Sequence, residues 1–234
     1  MQGRYAHCAV ARNHPVKAYC YFEAIADRQF DEHSRMVELW RANWSSRGWE
    51  TVVLGPAEAE AHPAYAWCVN AASKLNAINH RDYQRACFTR WLALAHALGR
   101  DDLGLFTDYD VYNVSFTPND AALLYSPAQP INLHYNTCSQ PIILDGRQAT
   151  AIPWLLMVVT QFLVNNWPAQ IDWTDMSFWE ADQKLALGFA RHEAVCFPFH
   201  QQECGNGRLI HLSYESSGNV GKLNAWQRLA EVYP

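Results

Sequence analysis

The chain has 234 residues, half of them hydrophobic and 18% charged, which is enough apolar material for the core of one large or two closely packed domains. A formal net charge of −5 and the lack of any block rich in Lys and Arg argue against a protein that holds nucleic acid by neutralising phosphates. Seven cysteines, at positions 8, 20, 68, 87, 138, 196 and 204, form an odd set with no C-x-x-C pair, the pattern of reduced thiols that fill a core in the cytosol.

The first residues have no apolar stretch of the kind a signal peptide needs. The most hydrophobic segment, 151–164, is shorter than the run of about 20 residues that crosses a bilayer and is expected to form a buried or interfacial helix. No transmembrane segment is therefore expected. Ten tryptophans and an aromatic content of 13% supply rings for a core and for the walls of a ligand cleft.

In chain order, 16–22 reads as a strand, and 31–43 as a helix on which Met36, Leu39, Trp40 and Trp44 recur at helical spacing. Gly48 closes that helix region and 49–54 supplies a second strand, so the chain opens as a β-α-β unit with a parallel pair. A loop containing Pro56 and Pro63 follows. A helix is expected over 82–98, where Cys87, Trp91, Leu92, Ala95 and Leu98 share a face. It leads to an apolar run starting at Leu103 that stops on Asp108-Tyr109-Asp110. Downstream, 121–125 and 141–144 read as short strands around the loop before the apolar helix. Ser177 and Glu180 have capping-box spacing for a helix start. Strands at 195–198 and 208–212 are expected to meet in a hairpin through Gly205-Asn206-Gly207. No repeat, low-complexity tract or linker divides the chain, so 1–234 is read as a single α/β domain, with a nucleotide-sugar-binding part at about 15–115 and an acceptor part at about 116–234.

The D-x-D carries the functional argument. In open α/β sheets ligands bind beyond the carboxyl ends of the strands, and two acids there suit a hard divalent cation. On a strand, residues two apart also project to the same face. Mg²⁺ commonly takes one or two carboxylates and completes its shell with water and substrate phosphates, which points to a phosphate ester or a nucleotide diphosphate. The same three residues also suit an ordinary turn rich in Asp and Asn.

This order of elements, with Arg90 on the helix before the D-x-D strand and His211 on a late strand, resembles the GT-A fold of nucleotide-sugar glycosyltransferases. The resemblance is to bacterial and viral members and spans most of the chain. It implies a Rossmann-like, mixed and mainly parallel sheet flanked by helices. It also implies a Mn²⁺ or Mg²⁺ ion held by Asp108, Asp110 and His211, and a UDP- or GDP-sugar as donor. Lys222 would approach the donor diphosphate, and Arg90 would reach the donor, with Asp82 and Arg85 as competitors. Asp82 and Arg85 also fit an i, i+3 ion pair on a solvated helix face. Residues just after the first strand, Tyr21 and Phe22 through Glu23, would lie near the nucleobase.

Sugar transfer from such a donor expels a nucleoside diphosphate, so negative charge on the leaving phosphate must be stabilised. An inverting reaction also needs a carboxylate to take the acceptor proton. Asp175, at a helix start, is the candidate, with Glu180 and Asp182 as rivals. A helix-start acid is also favoured by the macrodipole for structural reasons alone. The expected protein is a cytoplasmic enzyme, or one peripheral at the inner membrane surface, that glycosylates a glycan, a protein or a lipid-linked acceptor.

Three other classes share some of these features. A haloacid-dehalogenase-like phosphatase also has a strand ending in D-x-D, but Tyr112 stands where Thr or Val is usual. A non-catalytic nucleotide- or carbohydrate-binding module could keep the same fold. A glycoside hydrolase needs two acids across a sugar bond, and no second acid is fixed at that separation. His134, His192 and His200 match no zinc spacing.

Overall fold

The computed structural model describes residues 16–25, 30–76, 80–100, 102–125, 142–166, 199–200, 208–212 and 221–234. Strand β1 (Lys17–Tyr21) is followed by helix α1 (Phe30–Ser46) and strand β2 (Glu50–Leu54). β1 and β2 pair in parallel, Lys17 against Glu50 through Tyr21 against Leu54, so the chain does open as a β-α-β unit. Gly48 ends the helix region with φ of 85°, a backbone region that residues with a Cβ rarely enter. Met36, Trp40 and Trp44 of α1 are all buried, as their spacing requires.

The expected loop after β2 instead holds two helices, α2 (Pro56–Glu60) and α3 (Tyr65–Ser73). Pro56 sits in the first turn of α2, where its missing N–H costs nothing. Glu58 accepts a hydrogen bond from the Gly55 N–H at 2.8 Å. Proline here starts a helix. In α3, Cys68, Ala71 and Ala72 face inward at i, i+3 and i+4.

Helix α4 (Arg81–Ala97) buries far more than one stripe, including Gln84, Phe88, Thr89 and the whole run Trp91–Leu94. It delivers the chain to β3 (Leu103–Phe106), which joins β1 in parallel. The apolar run does not continue as one strand through the D-x-D. It breaks at Thr107, and Asp108 to Asp110 form a turn closed by the Val111 N–H donating to the Asp108 carbonyl at 3.2 Å. β4 (Val111–Asn113) then enters a different sheet. Strand alternation therefore does not align the two carboxylates; the turn does.

Residues 121–125, expected as a strand, lie mostly in helix α5 (Pro118–Leu124). Thr117 caps it, Pro118 occupies the first turn, and the Asp120 carboxylate accepts from the Thr117 N–H at 2.8 Å. That capping box outweighs the short apolar run. β5 (Ile142–Asp145) is a strand, paired antiparallel to β3. The first sheet thus has the order β2-β1-β3-β5, mixed but mostly parallel, and β3 and β5 are buried along their whole length.

Helix α6 (Gly146–Asn166) extends the expected 151–164 segment to 21 residues. It is the one described helix long and apolar enough to cross a membrane by length and composition, and half of its most apolar window is packed inside the protein, where it meets α3 and α4. β6 (Phe199–His200) and β7 (Leu209–His211) pair in parallel, so no hairpin joins them; β7 pairs antiparallel with β4. Residues 195–198 and 205–207 lie outside the described part. α7 (Lys222–Val232) closes the described chain.

These elements make layers. Helices α2, α3, α4 and α6 cover one face of the four-stranded sheet, around Trp91, Phe88, Phe106 and Leu144. On the other face α1, the β4-β7-β6 sheet and α7 enclose Trp40, Trp44, Trp49, Phe116 and Trp226. Five of the seven described tryptophans serve these two cores. Trp67 of α3 and Trp154 of α6 are the exceptions, meeting edge to face at 5.4 Å on the outside. Cys20, Cys68 and Cys87 are buried, and burial pushes the Cys68 thiol up to about 12.

Candidate metal centre at the β3–β4 turn

β3 ends in the interior of the sheet, and its chain turns at Asp108 to reach the second sheet. The antiparallel register of β4 with β7 places His211 opposite Val111, next to that turn, and the Leu212 N–H donates to the Asp110 carbonyl at 2.9 Å. As a result one ligand atom from each of Asp108, Asp110 and His211 lies within 4.8 Å of the others. Residues a hundred positions apart converge because two sheets share one turn.

Each carboxylate faces a cation. Arg90, from α4, donates from Nη1 to Asp108 Oδ1 at 2.7 Å, and its guanidinium lies 5.4 Å from the Trp91 ring centre and 5.8 Å from that of Phe106. Lys222, the first residue of α7, donates from Nζ to Asp110 Oδ2. Gly221, which precedes it, has φ of 78°, a conformation suited to glycine.

Asp110 is 6% exposed and His211 4%. Burial by itself would push the Asp110 carboxyl up, but the charges of His211 and Lys222, with the Lys222 hydrogen bond, more than reverse this and hold it below the ordinary carboxylate range. It is a buried anion. Its second oxygen, Oδ1, lies 3.4 Å from His211 Nε2, yet it makes no hydrogen bond among the described residues.

That edge is the feature that fits a metal. Donor atoms sharing an ion at about 2.1 Å stand roughly 3.0 to 3.5 Å apart, so a carboxylate oxygen and an imidazole nitrogen at 3.4 Å can bind the same cation. The two carboxylates suit Mn²⁺ and Mg²⁺ alike, and the imidazole is better accepted by Mn²⁺, the softer of the two. The residues present therefore fit the divalent ion that the D-x-D suggests.

Of the remaining sequence-derived residues, Tyr21, Phe22 and Glu23 lie at the carboxyl end of β1, and Asp82 and Arg85 in the first turns of α4. Tyr21 donates its hydroxyl to Glu23 at 2.7 Å, and Arg85 bridges Glu23 at 2.5 Å and Asp82 at 3.0 Å. Arg85 and Asp82 thus form the i, i+3 pair anticipated from spacing, extended by Glu23. Phe22 meets Tyr109 edge to face at 5.9 Å. Asp175, Glu180 and Asp182 lie outside the described residues, as do His134 and His192. His200 is in β6.

Two neighbours of the turn carried no sequence signal. Tyr109, between the two acids, shares a 2.8 Å hydrogen bond with His33 Nδ1, and burial, together with the charges of Asp110 and Asp108, pushes its hydroxyl pKa well up. A lone His in an amphipathic helix has no spacing that marks it as the partner of a tyrosine 76 positions away. No protein-family model matches this sequence, and no curated protein matches it.

Proposed function

We propose that this chain is a metal-dependent glycosyltransferase of the GT-A type that moves a sugar, of the hexose class, from a UDP- or GDP-sugar to an acceptor hydroxyl. The observation that carries the reading is the convergence of Asp108, Asp110 and His211 beyond the carboxyl end of β3, with Arg90 and Lys222 beside them. A mixed, mostly parallel sheet flanked by helices is a setting in which nucleotides bind beyond the carboxyl ends of the strands.

Asp108, Asp110 and His211 would hold Mn²⁺ or Mg²⁺, which when bound supplies a Lewis acid and a template for the diphosphate. The protein's own groups account for the rest. Arg90 is fixed between Asp108 and two aromatic rings, so it offers a preorganised positive charge to a departing diphosphate. Lys222 offers a second from a helix that can approach the ligand at its first turn. Tyr21 ends β1, Phe22 and Glu23 follow it, Phe22 meets Tyr109 of the turn, and these three would line the nucleobase end. Asp175 is the proposed base if the reaction inverts the sugar. The acceptor would be a glycan, a protein or a lipid-linked sugar, handled in the cytoplasm or at the inner membrane surface.

Isothermal titration with UDP and with GDP, each with and without Mn²⁺, tests this. Metal-dependent binding of one nucleotide by the native chain, lost in Asp110→Ala, is expected and names the donor base. Absence of binding to both nucleotides in the presence of Mn²⁺ overturns the reading.

A further inference from the structure

Two carboxylates at this site are already matched by two protein cations. Asp108 is paired with Arg90 and Asp110 with Lys222, and the Asp110 side chain is 9% exposed. A divalent ion approaching Asp110 Oδ1 and His211 Nε2 would meet the Lys222 ammonium on the other oxygen of the same carboxylate. At such separation, in a site shielded from water, like charges repel strongly. The two cations are not equally able to yield. Arg90 is held by Asp108 and packed on Trp91 and Phe106 in the middle of α4. Lys222 opens α7 directly after Gly221, whose positive φ marks a backbone change at the helix start.

The far part of α7 is fixed. Trp226 is 2% exposed and lies edge to face with Tyr112 at 5.1 Å, and Tyr112 donates to the Tyr233 carbonyl at 2.6 Å. Movement of the lysine therefore needs only its own flexible side chain and the first turn.

We propose that Lys222 and a divalent cation compete for Asp110, so that loading the metal displaces the Lys222 ammonium from the carboxylate and frees it to meet the anionic ligand. This rests on the metal-centre reading and adds a regulation to it. Lys222 neutralises Asp110 while no ion is bound, which keeps a buried anion from standing alone. When the ion arrives, the same lysine becomes a donor for phosphate oxygens. Metal and phosphate ligand would then bind with positive coupling, because each favours the same position of one side chain.

Mn²⁺ titration of the full chain and of Lys222→Met tests this, alongside acetylation of lysines followed by peptide mass spectrometry. Lys222→Met is expected to bind Mn²⁺ at least tenfold more tightly than the native chain. In the native chain, Mn²⁺ is expected to speed acetylation of Lys222 severalfold while exposed Lys74 is unchanged. If Lys222→Met fails to fold, the acetylation of the native chain decides alone. Equal or weaker Mn²⁺ binding by a folded Lys222→Met, or Lys222 acetylation indifferent to Mn²⁺ that binds, overturns the competition and leaves the metal centre standing. No Mn²⁺ binding by either protein overturns both.

Discussion

Trp40 and Trp44 stand one turn apart on α1, both fully buried, with ring centres 5.8 Å apart. Their indole nitrogens differ in a way that tests the packing. Trp44 Nε1 donates to the Val111 carbonyl at 3.0 Å, which ties α1 to the strand that follows the D-x-D, whereas Trp40 Nε1 has no partner among the described residues. Trp44→Phe loses volume and a buried hydrogen bond, and should cost about 3 kcal/mol. Trp40→Phe loses volume but sheds a buried donor, and should cost about 1 kcal/mol. Urea unfolding of both variants measures the difference; equal losses would mean that the Trp44 hydrogen bond adds nothing. Helical spacing made both residues legible as core. Spacing could not say which indole was satisfied, because the acceptor lies 67 positions away. The same limit applied to Lys222, which the resemblance implied as a cation near the donor diphosphate but not as the direct partner of Asp110.

At the scale of elements, the sequence misled wherever a short apolar run competed with a cap. The 121–125 run has strand composition, yet Thr117, Pro118 and Asp120 start a helix there, and Arg208, beside β7, bonds to the same Asp120. That contact joins α5 to the second sheet. The Arg208 hydrogen bond, aided by those from Thr117, holds the Asp120 carboxyl well below its ordinary value. A pKa depressed in the folded state means stability that is fully present above the unfolded value of about 3.8 and is lost as the pH falls through the folded value. Asp120→Asn should therefore cost about 1 kcal/mol at pH 7, the scale of a helix cap with a partly exposed ion pair. The gap to the native chain should close progressively below about pH 4. Thermal unfolding at pH 7 and at pH 3 checks this, and a deficit that persists undiminished at pH 3 would assign the loss to packing. The loop expected around Pro56 failed for the same reason, since a proline at the first helical position starts a helix.

For the molecule as a whole, periodicity made the opening β-α-β unit and the long helices legible, while of the second sheet only the strand expected at 208–212 was. Its strands are two or three residues long, and the pairing of β4 with β7 joins residues about a hundred positions apart, below what any local pattern records. The D-x-D was legible by its residues, but its geometry depends on that hidden sheet, because His211 reaches the turn only through the β4–β7 register. This has a thermodynamic consequence for the proposed metal centre. An ion bound by Asp108, Asp110 and His211 would link the end of the four-stranded sheet to β7, and neither group could leave without the ion being lost. Binding to the folded state alone stabilises it by about 2.7 kcal/mol when free metal exceeds its dissociation constant by about a hundredfold. For a chain of 234 residues this corresponds to a rise in Tm of about 5–10 °C. Scanning calorimetry with and without Mn²⁺ should show that rise in the native chain, reversal by a chelator, and no response in either Asp110→Ala or His211→Ala. A response retained in His211→Ala would confine the ion to the two carboxylates of the turn and remove the second sheet from the site.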